Sequence, residues 1–362
     1  MDWSYACNLM DSGCCLWVGA GLTVQVAGSP RDAPQWDELT SELEKLSEVP
    51  THPDWGYPER LEACAQKLGE KRFQALLRKK YYTNLSLVLL KSAKKLLDSK
   101  DFIPLSVRQV ACLGQVANPI VNFNIEPLSS VLLARPLGPM RLASYSDPHM
   151  PQPAITDEAS AHFRRVIYHP HGLATGSTVM TKSQYEAQGN TLAFALAVHA
   201  TFGCDLAVVG MSLEDAYLRE QITRFRDDIN SIFWFNSEFQ EAPAKWAQAN
   251  RVDMLQVSWP EFWSWWLKDR GFELNEENLC GAWYRVLSEA WDEVRGGAAT
   301  VFKNSLANVG LDIGHLKDAE ESGEPGRPIS EEVAELSGVV DAVGSRMNQK
   351  EFSLPMIATS FR

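Results

Sequence analysis

The strongest constraint on the fold is an alternation of short apolar runs with amphipathic helical segments, which continues from residue 14 to about residue 268. A typical helical segment (residues 36–46) places Leu39, Leu43 and Leu46 on one stripe. Further helices are predicted at residues 71–82 and 183–203. Strands that are apolar throughout and alternate with helices predict a doubly wound parallel sheet with helices on both faces. The apolar runs predict strands at residues 14–20, 118–125, 141–146, 166–172, 205–210, 231–237 and 252–258.

The strand pattern ends at about residue 259, and the remainder of the chain predicts helices and loops. Residues 276–295 have the periodicity of an amphipathic helix, and Ser330 could cap a later helix after the loop at 320–332. We therefore divide the chain into a Rossmann-like α/β domain (residues 1–270) and a mostly helical C-terminal extension (271–362). This extension either packs on the sheet as a lid or forms an oligomerisation or partner surface.

The amino-acid composition argues against several classes of function. The formal net charge of −12, with no Lys or Arg run longer than Arg-Lys-Lys, argues against a nucleic-acid partner. The seven cysteines are scattered and form no Cys-x-x-Cys pair, which argues against a structural zinc site. No apolar stretch reaches membrane-spanning length, and the acidic N-terminal segment is unlike a signal peptide. We therefore expect a cytoplasmic protein that binds neither a membrane nor nucleic acid directly.

A glycine pair, Gly19 and Gly21, follows the first predicted strand. Glycines at a strand-to-helix turn allow backbone N–H groups to approach a phosphate, and the helix N-terminus adds a favourable dipole. The third glycine of the dinucleotide fingerprint is absent, because Val24 stands in its place, and no Gly-Lys-Ser/Thr follows. The pair is therefore compatible with a phosphate-binding turn and with a plain tight turn.

Asn122 and Asn124 interrupt the end of the second apolar run, and Glu126 follows them. In doubly wound sheets, ligands bind beyond the carboxyl ends of the strands. An amide there can both donate and accept hydrogen bonds, so Asn124 could orient a water and a ribose hydroxyl, with Glu126 as the acid beside it. The alternative is that an asparagine at this position caps the next helix.

Two histidines, His169 and His171, mark the end of the fourth apolar run. Pro170 disfavours a shared metal site, because the two rings share a face only if the strand runs unbroken through the proline. A single histidine at a strand end can act as a general base, since its pKa lies near neutrality. It can equally well bond to a loop.

The fifth run ends at Gly210 and is followed by Ser212 and Asp215. Gly210 would permit close approach of a ligand, and Ser212 or Asp215 could bond ribose hydroxyls. Alternatively, Ser212 is a simple helix N-cap.

The order of these four segments resembles the sirtuin-like superfamily. Gly-Ala-Gly-x-Thr, Asn-Ile-Glu, His-Gly and Gly-x-Ser-Leu stand where the family has Gly-Ala-Gly-x-Ser, Asn-Ile-Asp or Asn-Tyr-Asp, His-Gly and Gly-x-Ser-Leu. The resemblance covers about residues 14–260 and is greatest to the bacterial antiviral-defence branch. Similar segments in that branch correspond to SPRDAPQWDEL (29–39), TKSQYEA (181–187) and GMSLEDAYLR (210–219).

Carried over position by position, the resemblance implies that Asn124 and His171 are catalytic. It places the N-terminal glycine turn around the phosphates of a dinucleotide and the Gly210 segment on the adenosine side. Glu126 stands where the family has an Asp, and its role stays open. The residues implied to bind the dinucleotide are Gly19, Ala20, Gly21, Thr23, Glu126, Gly210, Ser212 and Asp215.

The Cys-x-x-Cys zinc ribbon of protein-deacylating sirtuins is absent from the sequence, so no zinc is expected. Family members without the ribbon and with a helical extension resemble NAD+-consuming effectors of anti-phage defence. The resemblance therefore implies an NAD+ glycohydrolase that releases nicotinamide and ADP-ribose. NAD+ would be its substrate, and no separate cofactor is expected.

Two other functions stay open. An NAD-dependent protein deacylase would release nicotinamide only when an acyl-lysine peptide is present. A non-catalytic sensor of NAD+ or ADP-ribose would bind without turnover and signal through the C-terminal helices. The tryptophan-rich region from Trp259 to Trp291 is compatible with a homo-oligomer, which we expect, or with a partner ATPase of a defence system.

Overall fold

The computed structural model describes residues 14–27, 35–97, 103–134, 141–144, 166–174, 178–188, 197–212, 216–237, 241–267, 276–309, and 336–345 apart from 337 and 343. All seven predicted strands are present, and most are a few residues shorter than the apolar runs that predicted them. They are β1 (Cys14–Val18), β2 (Ala117–Asn122), β3 (Arg141–Ser144), β4 (Val166–His169), β5 (Leu206–Val209), β6 (Ile232–Asn236) and β7 (Val252–Gln256).

Helices connect the strands and extend the fold beyond them. A π-helical turn (Arg78–Thr83) joins the fourth helix to the fifth, and a 3₁₀ turn (Arg226–Asp228) follows the ninth. The α-helices are α1 (Ala20–Ala27), α2 (Trp36–Ser47), α3 (Tyr57–Leu68), α4 (Glu70–Leu77), α5 (Asn84–Leu96), α6 (Leu105–Val116), α7 (Leu128–Ala134), α8 (Lys182–Gln188), α9 (Ala216–Phe225), α10 (Glu241–Ala249), α11 (Trp259–Leu267) and α12 (Glu276–Val309).

The strands form one parallel sheet in the order β3-β4-β2-β1-β5-β6-β7. From β1 the chain builds one half of the sheet through β2, β3 and β4, and then crosses back to add β5, β6 and β7 on the other side. The predicted doubly wound Rossmann-like fold is therefore confirmed. The direction of winding changes between β1 and β5, which makes this the topological switch point, where such folds bind ligands.

Both faces of the sheet are buried, as the unbroken apolar runs predicted. On β1, Leu16 and Val18 join the larger core cluster, whereas Cys15 and Trp17 join a second cluster on the opposite face. This alternation follows from the two-residue period of a strand. The larger cluster includes residues of α2, α5, α6 and α12, and the smaller includes residues of α9 and α10.

The helix predicted at residues 276–295 is present and continues to Val309 as α12. Its apolar stripe joins the larger core cluster, with Leu279, Trp283 and Leu287 fully buried. Glu293, also buried, accepts hydrogen bonds from Arg78 and Thr83 of the π-helical turn. The division of the chain at residue 270 stays a prediction, and the loop at 320–332 with Ser330 lies outside the described residues.

Some elements differ from the sequence-based expectation. The helix predicted over 71–82 changes at Arg78 to the wider π-helical turn, at the place where α12 contacts it. The helix predicted over 183–203 is described only in part, because residues 189–196 are not described. Helices α5, α6 and α7 were not predicted. Among the described residues, no helix has both the length and the apolar character needed to cross a membrane.

Candidate functional site

A cavity of about 960 Å³ lies at the carboxyl edge of the sheet, around the switch point. Residues at or just after the ends of six strands line it, because parallel strands bring all their carboxyl ends to one edge. Four of these strand ends were predicted to carry site residues: those of β1, β2, β4 and β5. The lining residues from the strand ends include Gly19, Ala20, Gly21, Phe123, Asn124, His171, Gly210, Met211, Ser212, Asn236, Ser237 and Val257.

Of the predicted site residues, seven line this one cavity: Gly19, Ala20, Gly21, Asn124, His171, Gly210 and Ser212. Thr23 and Glu126 are buried and are not among the described lining residues, so they lie beneath the cavity floor. Asp215 lies outside the described residues. The two proposed catalytic side chains, 47 positions apart in sequence, therefore share one cavity; the roles of all ten residues stay predictions.

The glycines of this region are needed for backbone packing. A Cβ atom on Gly21 would lie 2.8 Å from the Cα of Gly210, and one on Gly210 would lie 2.5 Å from the backbone nitrogen of Leu22. Gly210 also has a φ of +68°, a conformation that side chains disfavour. The N–H of Gly21 donates to the carbonyl of Gly210 at 2.8 Å. The turns after β1 and β5 are therefore in direct backbone contact at the switch point.

Asn124 is fixed by hydrogen bonds through its side chain and its backbone. Its Nδ2 donates to the carbonyl oxygen of Gly19 at 3.1 Å and to Thr23 Oγ1 at 3.0 Å. Its backbone N–H donates to Asn122 Oδ1 at 2.9 Å. Because both amide hydrogens are used, the remaining hydrogen-bonding group of the side chain is Oδ1, which can only accept.

Glu126 completes this arrangement beneath the floor. Thr23 Oγ1 donates to Glu126 Oε1 at 2.7 Å, while the hydroxyl and backbone N–H of Ser129 donate to its two oxygens at 2.7 and 3.0 Å. Burial raises the pKa of Glu126 above its ordinary value, and these hydrogen bonds oppose that shift. The carboxyl group is therefore committed to holding Thr23, and through it Asn124.

The two histidines occupy different surroundings. His169 is fully buried and contacts Ser130 Oγ through Nε2 at 2.8 Å and the carbonyl oxygen of Asn124 through Nδ1 at 3.2 Å. His171 lines the cavity between the rings of Phe123 and Tyr185, whose centroids each lie 5.1 Å away. Its Nδ1 is buried and has no hydrogen-bond partner among the described residues.

Burial lowers the pKa of His171 to about 4, against a smaller opposing effect from a hydrogen bond with the backbone of Phe123. The imidazole is therefore neutral at pH 7. A neutral imidazole has one nitrogen that can accept a proton, and the ring that carries it lines the cavity. The geometry thus places a neutral imidazole after β4 and a hydrogen-bonded amide after β2 in the lining of one cavity.

Helices α2, α3, α8 and α9 supply lining residues that the sequence did not indicate as site residues, among them Trp36, Arg60, Tyr185 and Tyr217. Tyr185 stands within the segment TKSQYEA, which was noted only for its similarity to the family. Asn236 and Ser237 were also missed. The rule that led to Asn124 could have found them, since they end an apolar strand.

The described lining contains two cationic side chains, and each faces a carboxylate. Arg60 donates from Nε and Nη2 to the two carboxylate oxygens of Glu44, at 2.7 and 2.8 Å, and Lys182 Nζ lies 3.7 Å from Glu59 Oε1. A bound diphosphate would therefore depend on backbone N–H groups and the N-terminus of α1 more than on free cations. Among the described residues, no group of three or more His, Cys, Asp or Glu side chains could hold a metal ion.

The fold and cavity define a doubly wound α/β protein with its candidate site at the switch point. A family model described as "SIR2-like domain" matches residues 125–255 of this chain, which supports the sirtuin-like superfamily and an NAD-related function. The matched range contains Glu126, His171 and Gly210 and begins one residue after Asn124. A search of the curated proteins finds no match.

Proposed function

We propose that this protein is an NAD+ hydrolase that cleaves the bond between nicotinamide and ribose. The observation that carries the proposal is the meeting of Asn124 and His171 in one cavity at the switch point. The first is held by hydrogen bonds, and the second has a buried nitrogen with no partner in the described structure. The family match favours NAD+ over other nucleotides as the ligand.

In the proposed reaction the C1′–N bond breaks, and its electron pair neutralises the positive charge of the nicotinamide ring. Water then forms a C1′–O bond and loses a proton, so that the products are nicotinamide, ADP-ribose and a proton. The ribose passes through an oxocarbenium-like state. An acceptor oxygen beside this centre both orients the water and stabilises positive charge, and Asn124 Oδ1 is the atom we assign to this role.

His171 would accept the proton from the water or from a ribose hydroxyl, because its imidazole is neutral at pH 7. General base catalysis by a positioned side chain is typically worth about 10²–10⁴ in rate. Phe123 and Tyr185 pack against the ring from two sides and restrict its orientation. The turns after β1 and β5 would bind the diphosphate and adenosine, so that remote binding energy orients the ribose.

The biological setting is part of the proposal. The absence of a zinc ribbon in the sequence supports an effector that depletes NAD+ during anti-phage defence, acting in the cytoplasm as a homo-oligomer or with a partner ATPase. A toxic effector must stay silent until it is triggered. Activity is therefore measured for the protein alone and for the protein co-expressed with its neighbouring genes during phage infection.

The test is chromatographic assay of NAD+, nicotinamide and ADP-ribose with wild type, Asn124→Ala and His171→Ala. Matched controls are Asn230→Ala and His199→Ala, which change exposed side chains. In whichever of these two conditions wild type is active, we expect cleavage by wild type and both controls and a loss of about 10²-fold or more in the two site variants. Equal and measurable turnover by all five proteins would contradict the assigned roles.

Two further arms separate the other candidate functions. A deacylase would release nicotinamide only with an acyl-lysine peptide and would form O-acyl-ADP-ribose. A sensor would bind NAD+ in calorimetry yet leave it intact under every activating condition. Either result would replace the hydrolase proposal.

A further inference from the structure

The buried His169 makes a hydrogen bond to the proposed catalytic asparagine that no sequence motif indicated. Its ring is fully buried beneath the cavity floor, whereas His171, two residues later, lines the cavity itself. His169 Nδ1 lies 3.2 Å from the backbone oxygen of Asn124, the residue that ends the neighbouring strand region. This bond joins the end of β4 to the end of β2.

The protonation state of His169 follows from its neighbours. The backbone oxygen of Asn124 can only accept, so Nδ1 must carry the hydrogen. Asn122 Nδ2 donates to Ser130 Oγ at 2.8 Å, which leaves the Ser130 hydroxyl hydrogen free to point at His169 Nε2, 2.8 Å away. Burial lowers the pKa of His169 to about 4, so the ring is neutral at pH 7, and its one hydrogen is the one on Nδ1.

The same bonds close a ring around Asn124. Asn122 accepts the backbone N–H of Asn124 and donates to Ser130, Ser130 donates to His169, and His169 donates to the backbone oxygen of Asn124. The peptide groups on both sides of Asn124 are thus held, in addition to its side-chain amide. With His169 neutral, each bond of the ring has one donor and one acceptor.

We propose that His169 is a positioning residue: as the Nδ1–H tautomer it holds the backbone of Asn124 so that Oδ1 stays directed at the reacting ribose. This inference rests on the proposed NAD+ hydrolase function. It assigns the two histidines different tasks, since His171 accepts the proton and His169 fixes the partner residue. A small displacement of a positioned group can cost about 10²-fold in rate, which sets the size of the expected effect.

The kinetic test compares His169→Asn with His169→Leu. An asparagine places its Nδ2 donor near the position of His Nδ1 and can restore the bond to Asn124, whereas leucine fills a similar volume without any donor. We expect His169→Leu to lower kcat about 10²-fold with KM within about threefold, because the turns that bind the dinucleotide are unchanged. The kcat of His169→Asn should be at least about tenfold higher than that of His169→Leu. Wild-type kcat in the leucine variant, or no rescue by asparagine, would overturn the proposal.

A second readout does not depend on activity. Long-range ¹H–¹⁵N correlation spectra of ¹⁵N-histidine-labelled protein distinguish the two neutral tautomers, and we expect the Nδ1–H pattern for His169. The side-chain amide resonances of Asn124 should shift in His169→Leu and return towards their wild-type positions in His169→Asn. An Nε2–H or charged His169, or an Asn124 amide unaffected by leucine, would disprove the positioning role. If wild type cleaved no NAD+ under any condition, the proposed function would fail while these spectra still decided the geometry.

Discussion

The ends of β2 and β4 lie side by side at the edge of the sheet, and the polar side chains that follow them differ in their hydrogen bonding. At the end of β2, both amide hydrogens and both flanking backbone groups of Asn124 are hydrogen bonded. At the end of β4, His171 stands among aromatic rings with Nδ1 unpartnered within the described structure. The side chain of Asn124 is held by hydrogen bonds, whereas Nδ1 of His171 has no hydrogen-bond partner in the described structure.

This difference is consistent with the two roles proposed for these groups. A fully bonded polar network has one low-energy arrangement, so it sets a position accurately and contributes to stability. A buried polar atom without a partner costs stability, and native proteins retain such atoms where function requires them. We therefore expect changes at Asn124 to affect folding and activity together, and changes at His171 to affect activity alone.

The largest difference between the effect on activity and the effect on stability is expected for His171→Phe. Phenylalanine keeps an aromatic ring between Phe123 and Tyr185 and removes the unpartnered nitrogen, so the free energy of unfolding should be unchanged or higher. NAD+ cleavage should fall by about 10²–10⁴-fold because the base is lost. Urea unfolding and the chromatographic assay measure the two effects. A clear loss of stability would mean that His171 has a structural partner, and the proposed difference between Asn124 and His171 would be wrong.

Asn124→Leu should act on both properties. It leaves the carbonyl of Gly19 and the hydroxyl of Thr23 without their donor inside the protein, which should lower the free energy of unfolding by roughly 2–3 kcal/mol. Urea unfolding of Asn124→Leu and of His171→Phe, measured side by side, gives the difference in their free energies of unfolding. If the two variants were equally stable, the network around Asn124 would not contribute as its hydrogen bonds indicate.

Acidification should destabilise the protein through both histidines. Burial lowers the pKa of His169 and of His171 to about 4, below the value of about 6.5 for an unfolded histidine. Between these values the unfolded chain binds more protons, so stability falls as the pH drops from 6.5 towards 4. The loss is about 2 kcal/mol per histidine between pH 7 and pH 5.

Urea unfolding of wild type, His169→Gln and His171→Gln at both pH values tests this expectation. Each variant should lose less stability on acidification than wild type does. The raised pKa of Glu126 acts in the opposite direction, and its contribution cancels in the comparison. Equal acid sensitivity in all three proteins would mean that the histidines are not held neutral.

The smallest effect should come from Thr23. Thr23→Ser retains the hydroxyl that accepts from Asn124 and donates to Glu126, so stability should change by less than about 0.5 kcal/mol. Thr23→Val removes the hydroxyl at similar volume and should cost about 1–2 kcal/mol. Thermal or urea unfolding distinguishes the two. If Thr23→Val were as stable as Thr23→Ser, the hydrogen bonds of the Thr23 hydroxyl would contribute little to holding Asn124.

The sequence by itself predicted the strands, their parallel arrangement and the edge of the sheet at which the candidate site lies. Apolar strands are signalled locally by short runs of residues such as Cys14–Val18, and parallel strands necessarily place their carboxyl ends, with the residues after them, at one edge. This is why the polar residues after β2 and β4 could be predicted to lie at one edge, whereas the pairing of Asn124 with His171 was implied by the family resemblance. Helices α5, α6 and α7 were not predicted; α5 and α6 lie in the stretch between the predicted helix at 71–82 and the next apolar run.

Only the tertiary structure decided how each polar group is used. Nothing near Glu126 in the sequence shows that it lies beneath the cavity floor, and the glycines after β1 and β5 contact each other across nearly 190 residues. His169 and His171 are alike as residues and two positions apart, yet one holds a backbone and the other faces the cavity. Hydrogen-bond partners come from strands and helices distant in the chain, so they are fixed by packing and cannot be read from local pattern.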